Sequence, residues 1–193
     1  KTLFPYTTLF RSIWSTSALY EESVGIPLIM AGPGIDAGIV LPKLVSHVDI
    51  HPTLLGLAGV PAPSYEGPGI SLLSTPQEPR AVLSEYHAGA SITGCFMLRT
   101  GRWKYMCYPG YPSQLFDIEL DPTEANDLAA SQEHREVLAL CDAELRRILD
   151  PEAINELAFS AQAATIERHG GVTAVMQRGH PGEHAVDRRL GIE

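Results

Sequence analysis

The sequence is poor in aromatic residues and in positive charge, and it holds only three cysteines. Lys and Arg number 14 against 23 Asp and Glu, for a net charge of −9. That balance offers no basic patch and argues against a nucleic-acid partner. An anionic substrate would need local positive charge to offset the overall repulsion. Cys95, Cys107 and Cys141 are odd in number and widely spaced. They form no Cys-x-x-Cys metal or redox pattern, so buried or edge thiols are expected. In an exported protein Cys95 and Cys107 could pair across a hairpin. No apolar run approaches the ~20 residues of a membrane-spanning helix. A soluble protein is expected, cytoplasmic or exported, with the compartment unknown. No internal repeat is present.

What the sequence does hold is ordinary globular material. Hydrophobic residues make up 45% of the 193 residues, enough for one domain with a proper core. Fifteen prolines and seventeen glycines mark many turns. Thr2 to Ser12, TLFPYTTLFRS, resembles an in-frame translation of a short-read sequencing adapter. Residues 1–12 are therefore set aside from fold reasoning, and the native chain is expected to begin upstream of Ile13.

Ile26 to Ala31 is a short apolar run ended by Gly32-Pro33-Gly34. It reads as a strand buried on both faces, as in a parallel sheet. Ser46 to Gly59 has helix-start chemistry, with Ser46 and Asp49 in capping-box spacing and Pro52 in the first turn. Ile50, Leu54, Leu57 and Ala58 would share its inward face. Val60 to Pro79 reads as a surface connection.

Ala81 to Tyr86 reads as a strand. Cys95–Arg99 and Arg102–Tyr108 flank Thr100-Gly101, a hairpin signal. In the second strand Trp103, Tyr105 and Cys107 share one face, and Arg102, Lys104 and Met106 the other. Gln114 to Ile118 supplies a further strand, and short turns imply antiparallel pairing. Arg99, Arg102 and Lys104 could form an anion patch, but alternation favours a solvated face. Val137, Leu138, Cys141, Leu145, Ile148 and Leu149 recur at helical spacing, predicting a helix over about Gln132 to Leu149 that packs on the sheet. Asp150-Pro151-Glu152 opens a second helix with the stripe Ile154, Leu157, Ala158, Ala161 and Thr165, ended by Gly170-Gly171. The rest, to Glu193, is expected to wrap a surface or to be partly disordered.

In this order the segments resemble a known family. Tyr20-Glu21-Glu22-Ser23, Ile26-Pro27-Leu28-Ile29 and Gly32-Pro33-Gly34 are similar to a stretch of arylsulfatases and choline-sulfatase-like enzymes. So are Val48-Asp49-Ile50 with Pro52-Thr53-Leu54-Leu55, and Ser84-Glu85-Tyr86-His87. Arg99-Thr100-Gly101-Arg102-Trp103-Lys104-Tyr105, Gln114-Leu115-Phe116-Asp117, Asp121-Pro122 and Asn126-Asp127-Leu128 complete the match over about Trp14 to Leu149.

The resemblance implies an α/β fold: the C-terminal end of an α/β/α alkaline-phosphatase-like sandwich over residues 13–79, a small antiparallel sheet with a packed helix over 80–150, and a helical tail over 151–193. It implies a sulfate-ester hydrolase with a formylglycine nucleophile from a C/S-x-P/A-x-R motif and a divalent metal, usually calcium. None of the three cysteines sits in that motif, so nucleophile and metal are expected outside these residues and the fragment alone is expected to be inactive. No catalytic or metal-binding residue is assigned within it. The family's sulfate-contacting lysine falls at Thr16, which offers a hydroxyl in place of a full charge. His87, at the end of a strand and before a flexible loop, is the best substrate-binding candidate. His47 and His51 lack the Glu of H-E-x-x-H and read as exposed helix positions. A phosphonate or phosphodiester hydrolase of the same superfamily is the runner-up. A non-catalytic assembly module, with homo-oligomer contacts through residues 151–193, is the reading from a different class.

Overall fold

The computed structural model describes residues 18–33, 35–40, 43–60, 67–74, 80–87 and 91–178. The chain divides into two compact units, Lys1–Pro151 and Glu152–Glu193. The adapter-like residues 1–12, Thr16 and residues 179–193 lie outside the described residues.

The first unit is built on a four-stranded antiparallel meander in the order β1-β2-β3-β4. Its strands are β1 Ala81–Tyr86, β2 Cys95–Thr100, β3 Trp103–Tyr108 and β4 Tyr111–Asp117. Cross-strand register runs Leu83, Leu98, Tyr105 and Leu115 along one row. Arg99 lies opposite Lys104, and Lys104 opposite Phe116. Thr100 pairs with Trp103, so the hairpin loop is Gly101-Arg102, one residue later than the sequence suggests. Gly101 has φ of 51°, a left-handed conformation that a Cβ would disfavour. Pro109-Gly110 makes a second tight turn, which lets β4 begin at Tyr111 rather than at Gln114. Pro112 is tolerated there because β4 is an edge strand.

Both faces of this sheet are covered. A 3-10 turn at Gln132–His134 leads into α3, Arg135–Ile148, close to the predicted span. (The helices before it are α1, Glu21–Val24, and α2, Ile50–Leu57.) α3 packs on β2 and β3. It buries Cys141 and Leu145, on the side of the sheet that carries Phe96, Leu98, Tyr105 and Leu115. Tyr105 donates its hydroxyl to Asp142 of α3 at 2.7 Å, so its burial leaves no unpaired polar tip. The opposite face carries Cys95, Met97, Met106 and Phe116, packed against Leu19 and Tyr20.

Cys95 and Cys107 are free and buried. Cys107 lies opposite Phe96, one position on from Cys95, so the two thiols are on opposite faces of the sheet. A cross-hairpin disulfide is therefore excluded by geometry.

Two sequence expectations fail in the region before the sheet. Ile26 to Ala31 forms no strand, and Ile29 is 89% exposed. A doubly buried strand needs neighbours on both edges and cover on both faces; the described residues supply none. The second failure concerns α2. Its capping box is present, with the Ser46 N–H donating to Asp49 Oδ2 at 2.7 Å. Yet Leu54 and Leu57 are exposed, and Pro52 and Thr53 are the buried positions. The apolar side of α2 faces an open groove instead of a packed core.

In the second unit, α4 spans Pro151–Arg168 and α5 spans Gly171–Arg178. Pro151 opens α4 at the position that tolerates a missing N–H. The glycine pair ends α4, but a further helix follows where a loose tail was expected. Leu157 of the proposed stripe and Phe159 outside it are both exposed. No helix among the described residues is long and apolar enough to cross a membrane.

Two predictions follow from this packing. Phe96→Ala should destabilise the protein by about 3–5 kcal/mol, whereas Leu57→Ala should cost less than about 0.5 kcal/mol, both read by urea denaturation. Burial raises the Cys95 thiol to about 12 and the Cys141 thiol to about 11. At pH 8 the Cys95 thiolate fraction is then on the order of 10⁻⁴. Iodoacetamide should label the folded protein at least ~100-fold more slowly than the urea-unfolded chain; fast labelling of the folded form would contradict the burial.

Candidate functional site

The strongest concentration of buried charge lies on the Met97–Met106 face of the sheet. Its centre is Lys104 of β3, which is wholly buried. Its Nζ lies 2.8 Å from Glu124 Oε1 and 3.0 Å from Glu21 Oε1. Alternation favours a solvated face for Arg99, Arg102 and Lys104. That reading is corrected at Lys104, which is roofed by Ala18 to Val24, a segment that brings its own carboxylate to meet the ammonium. Nothing local in the sequence shows that Glu21, 83 residues upstream, is that partner.

Glu124 comes from the loop after β4 and is also buried. Its Oε2 accepts the Glu21 backbone N–H at 2.6 Å, so one carboxylate binds both the cation and the first turn of α1. Burial holds the Glu124 carboxyl above its ordinary value; the Glu21 N–H and Lys104 oppose this in part. Glu124 has φ of 52°, uncommon for a residue with a Cβ. The loop maintains that conformation through other bonds. Glu124 N–H donates to the Asp121 carbonyl, and Asn126 N–H donates to Asp121 Oδ2 at 2.7 Å. Leu115 N–H reaches Asp127 Oδ1 at 3.1 Å, and Leu128 N–H returns to the Leu115 carbonyl at 2.8 Å.

A second attachment runs parallel to the first. Tyr20 donates its hydroxyl to Gln114 Oε1 at 3.1 Å, and Tyr108 donates to the same oxygen at 3.0 Å. Burial pushes the Tyr20 and Tyr108 hydroxyls up, so both remain donors at neutral pH. The Tyr20 ring meets Phe116 edge-on at 6.0 Å. The turn is thus held by an ion-pair triad, a phenol bond and an aromatic contact.

Another buried carboxylate organises the segment beyond. Asp49 Oδ1 accepts the Ile70 N–H and an Arg80 Nη1 donor, each at 2.9 Å. Thr53 links the same helix to Leu72, whose N–H it accepts at 2.8 Å. Burial works to raise the Asp49 carboxyl, but the Ile70 and Ser46 donors and Arg80 outweigh it, and the net direction is down. Asp49 therefore remains ionised across the neutral range. α2, the loop at 70–72 and the approach to β1 are joined at one side chain.

α2 and the 28–35 segment line an open groove of about 570 Å³. Its walls include Leu28, Ile29, Ile35, Leu54, Leu57 and Leu72. Its lining side chains are apolar apart from Thr53, and none is a nucleophile with a base beside it.

His87 stands immediately after β1, away from the Lys104 cluster. Its Nε2 lies 3.2 Å from Glu85 Oε2, and its ring meets Phe96 edge-on at 5.1 Å. Lys104, Glu21 and Glu124 were missed as a group by sequence reasoning. The only local signal was the paired presence of a YE turn and a WKY strand. His47 and His51 are exposed as expected. Among the described residues no three His, Cys, Asp or Glu side chains converge as a metal site. No described residue is given a metal-binding role.

Comparison with known proteins agrees with the order of these elements. The family described as N-sulphoglucosamine sulphohydrolase, C-terminal, matches residues 12–151. Rat arylsulfatase K is 37% identical over 147 residues, covering 69% of this chain and 26% of that protein. Human arylsulfatase K is 40% identical over 127 residues, covering 58% of this chain and 24% of that protein. The choline-sulfatase of Rhizobium meliloti is 38% identical over 124 residues, covering 62% and 24%. The chain spans about a quarter of the length of the curated relatives it matches. A solved structure described as a sulfatase candidate from Bacteroides thetaiotaomicron is 34% identical, with a TM-score of 0.46 over 51% of this chain and 23% of that one. The match over residues 12–151 shows that this chain belongs to the N-sulphoglucosamine sulphohydrolase C-terminal family, among the relatives of the arylsulfatases and choline-sulfatases.

Proposed function

We propose that this chain is the C-terminal portion of a sulfatase that hydrolyses sulfate esters. The observation that carries the reading is the family match across residues 12–151, together with relatives named arylsulfatase and choline-sulfatase. The formylglycine nucleophile and the divalent metal, calcium by family resemblance, are assigned to sequence outside these 193 residues. The work of this chain is then structural and substrate-facing. Its antiparallel sheet anchors the YE turn, and its apolar groove at Leu28–Ile35 and α2 is the seat for the remainder of an α/β core. Ile26 to Ala31 is the strand that would enter that core's parallel sheet.

Within this reading Thr16 occupies the sulfate-contacting position four residues before Tyr20. It supplies a hydroxyl where a lysine would supply charge. His87 is the substrate-binding candidate from the sheet. Its ring sits between Glu85 and Phe96, so a carboxylate on one side can hold the imidazole in one orientation.

The test begins with the upstream coding sequence, recovered from the source DNA and joined to this chain. The extended protein should release sulfate from 4-nitrophenyl sulfate, and the 193-residue chain alone should release none. Faster cleavage of bis(4-nitrophenyl) phosphate than of the sulfate would favour the phosphodiesterase alternative. Sulfate release by the short chain itself would overturn the proposal. In the extended enzyme, His87→Ala should lower kcat/KM at least ~10-fold, about 1.4 kcal/mol of transition-state binding, with little change in Tm; an equal fall in Tm would make His87 a structural residue instead.

A further inference from the structure

The charge triad does more than stabilise a sheet. We infer that Lys104 is a positioning residue: its buried ammonium fixes the Tyr20–Val24 turn on the sheet through Glu21 and Glu124, and so sets where the chain on either side of that turn stands. In its functional meaning this rests on the sulfatase reading, because the chain before the turn carries Thr16 and the chain after it enters the apolar groove.

Three observations support it. The first is redundancy of attachment at a very short segment. α1 is four residues long and buries none of its own side chains. A single turn of that length does not persist in water. It is held here by the Lys104–Glu21 pair at 3.0 Å, the Glu124 bond to its first N–H at 2.6 Å, and Tyr20 on Gln114 at 3.1 Å. The second is the cost the molecule accepts. Burying a lysine and a glutamate is rarely a gain in stability over well-packed apolar residues. Holding Glu124 at φ 52° adds to that cost. A sheet that needed only a core would do better with a methionine at 104. The third is directionality. Glu124 binds the cation with one oxygen and the helix N–H with the other, so the pair specifies the turn's height along the sheet as well as its contact with it.

The groups facing Lys104 come from each element packed around it. Glu21 and Tyr20 belong to the turn, Glu124 to the loop after β4, and Arg99 lies opposite on β2. Phe116 lies opposite on β4. Glu21 is the one of the two carboxylates that solvent reaches, so its removal tests the docking with least damage to the core.

The experiment is peptide-resolved hydrogen exchange on the 193-residue chain. Glu21→Ala leaves the Lys104–Glu124 pair in place. It should raise exchange at residues 21–25 at least fivefold and leave β2, β3 and β4 unchanged. Lys104→Met combined with Glu124→Met removes both buried charges. It should retain strand protection at or near the parent level, while exchange at residues 21–25 rises at least tenfold. Protection of 21–25 that simply tracks the strands in both variants, or that does not change, would overturn the inference. If the double variant fails to fold, Glu21→Ala alone decides by the same criterion. A parallel arm uses the extended enzyme: Lys104→Arg should retain more kcat than Lys104→Met at equal Tm. Loss of all turnover in the parent enzyme would sink the sulfatase reading, and the exchange result would still decide the role of Lys104.

Discussion

One buried ammonium sets the terms for the rest of this fold. Lys104 projects from a sheet face shared with Cys95, Met97, Arg99, Met106, Gln114 and Phe116. An unpaired charge there would cost several kcal/mol, so two carboxylates must reach it from outside the sheet. Glu21 and Glu124 do so from opposite directions in the chain. Meeting that demand holds the Tyr20–Val24 turn on one side of the meander, and the loop after β4 presents Glu124 in a left-handed conformation. Leu19 and Tyr20 pack on Cys95, Met97, Met106 and Phe116 beside the pair.

The other face follows a simpler rule. α3 covers it with Cys141 and Leu145, and polarity enters where Tyr105 reaches Asp142 and, at the edge, where Arg102 pairs with the buried Asp117. The contrast has a functional sense. A helix laid on a sheet by apolar contact is insensitive to small shifts along its axis, because dispersion and area burial have little direction. A turn whose first N–H is accepted by one oxygen of Glu124, while the other oxygen meets the Lys104 ammonium, is fixed in direction as well as in contact. The face that holds the helix makes the module stable; the face that holds the turn makes it geometrically definite.

The region between the turn and the sheet has a different character. Asp49 gathers α2, Ile70 and Arg80 around one carboxylate, while Leu54, Leu57 and Ile29 present apolar surface to a groove. Among the described residues the Asp49 and Thr53 side chains are bonded, while the apolar groups around them are exposed. Ile26 to Ala31 forms no strand here. Its side chains have the composition of a buried parallel strand, but a strand is a property of at least two segments.

Local chemistry was legible in the residues themselves. Alternation gave the strands, Ser46 and Asp49 gave the capping box, Pro151 gave the start of α4, and the heptad-like run from Val137 gave α3 and the face it buries. These depend on neighbours within a few positions, so sequence suffices. The order of the YE, VDI–PTLL and RTGRWKY segments pointed to the family that the match over residues 12–151 shows. Tertiary structure alone decided the fate of Lys104, the pairing with Glu21, the left-handed Glu124, the separation of Cys95 from Cys107 across the sheet, and the open side of α2. Each depends on what arrives from far along the chain. Alternation says that Lys104 and Met106 share a face, but whether that face meets water or a carboxylate is settled only when the roof is in place.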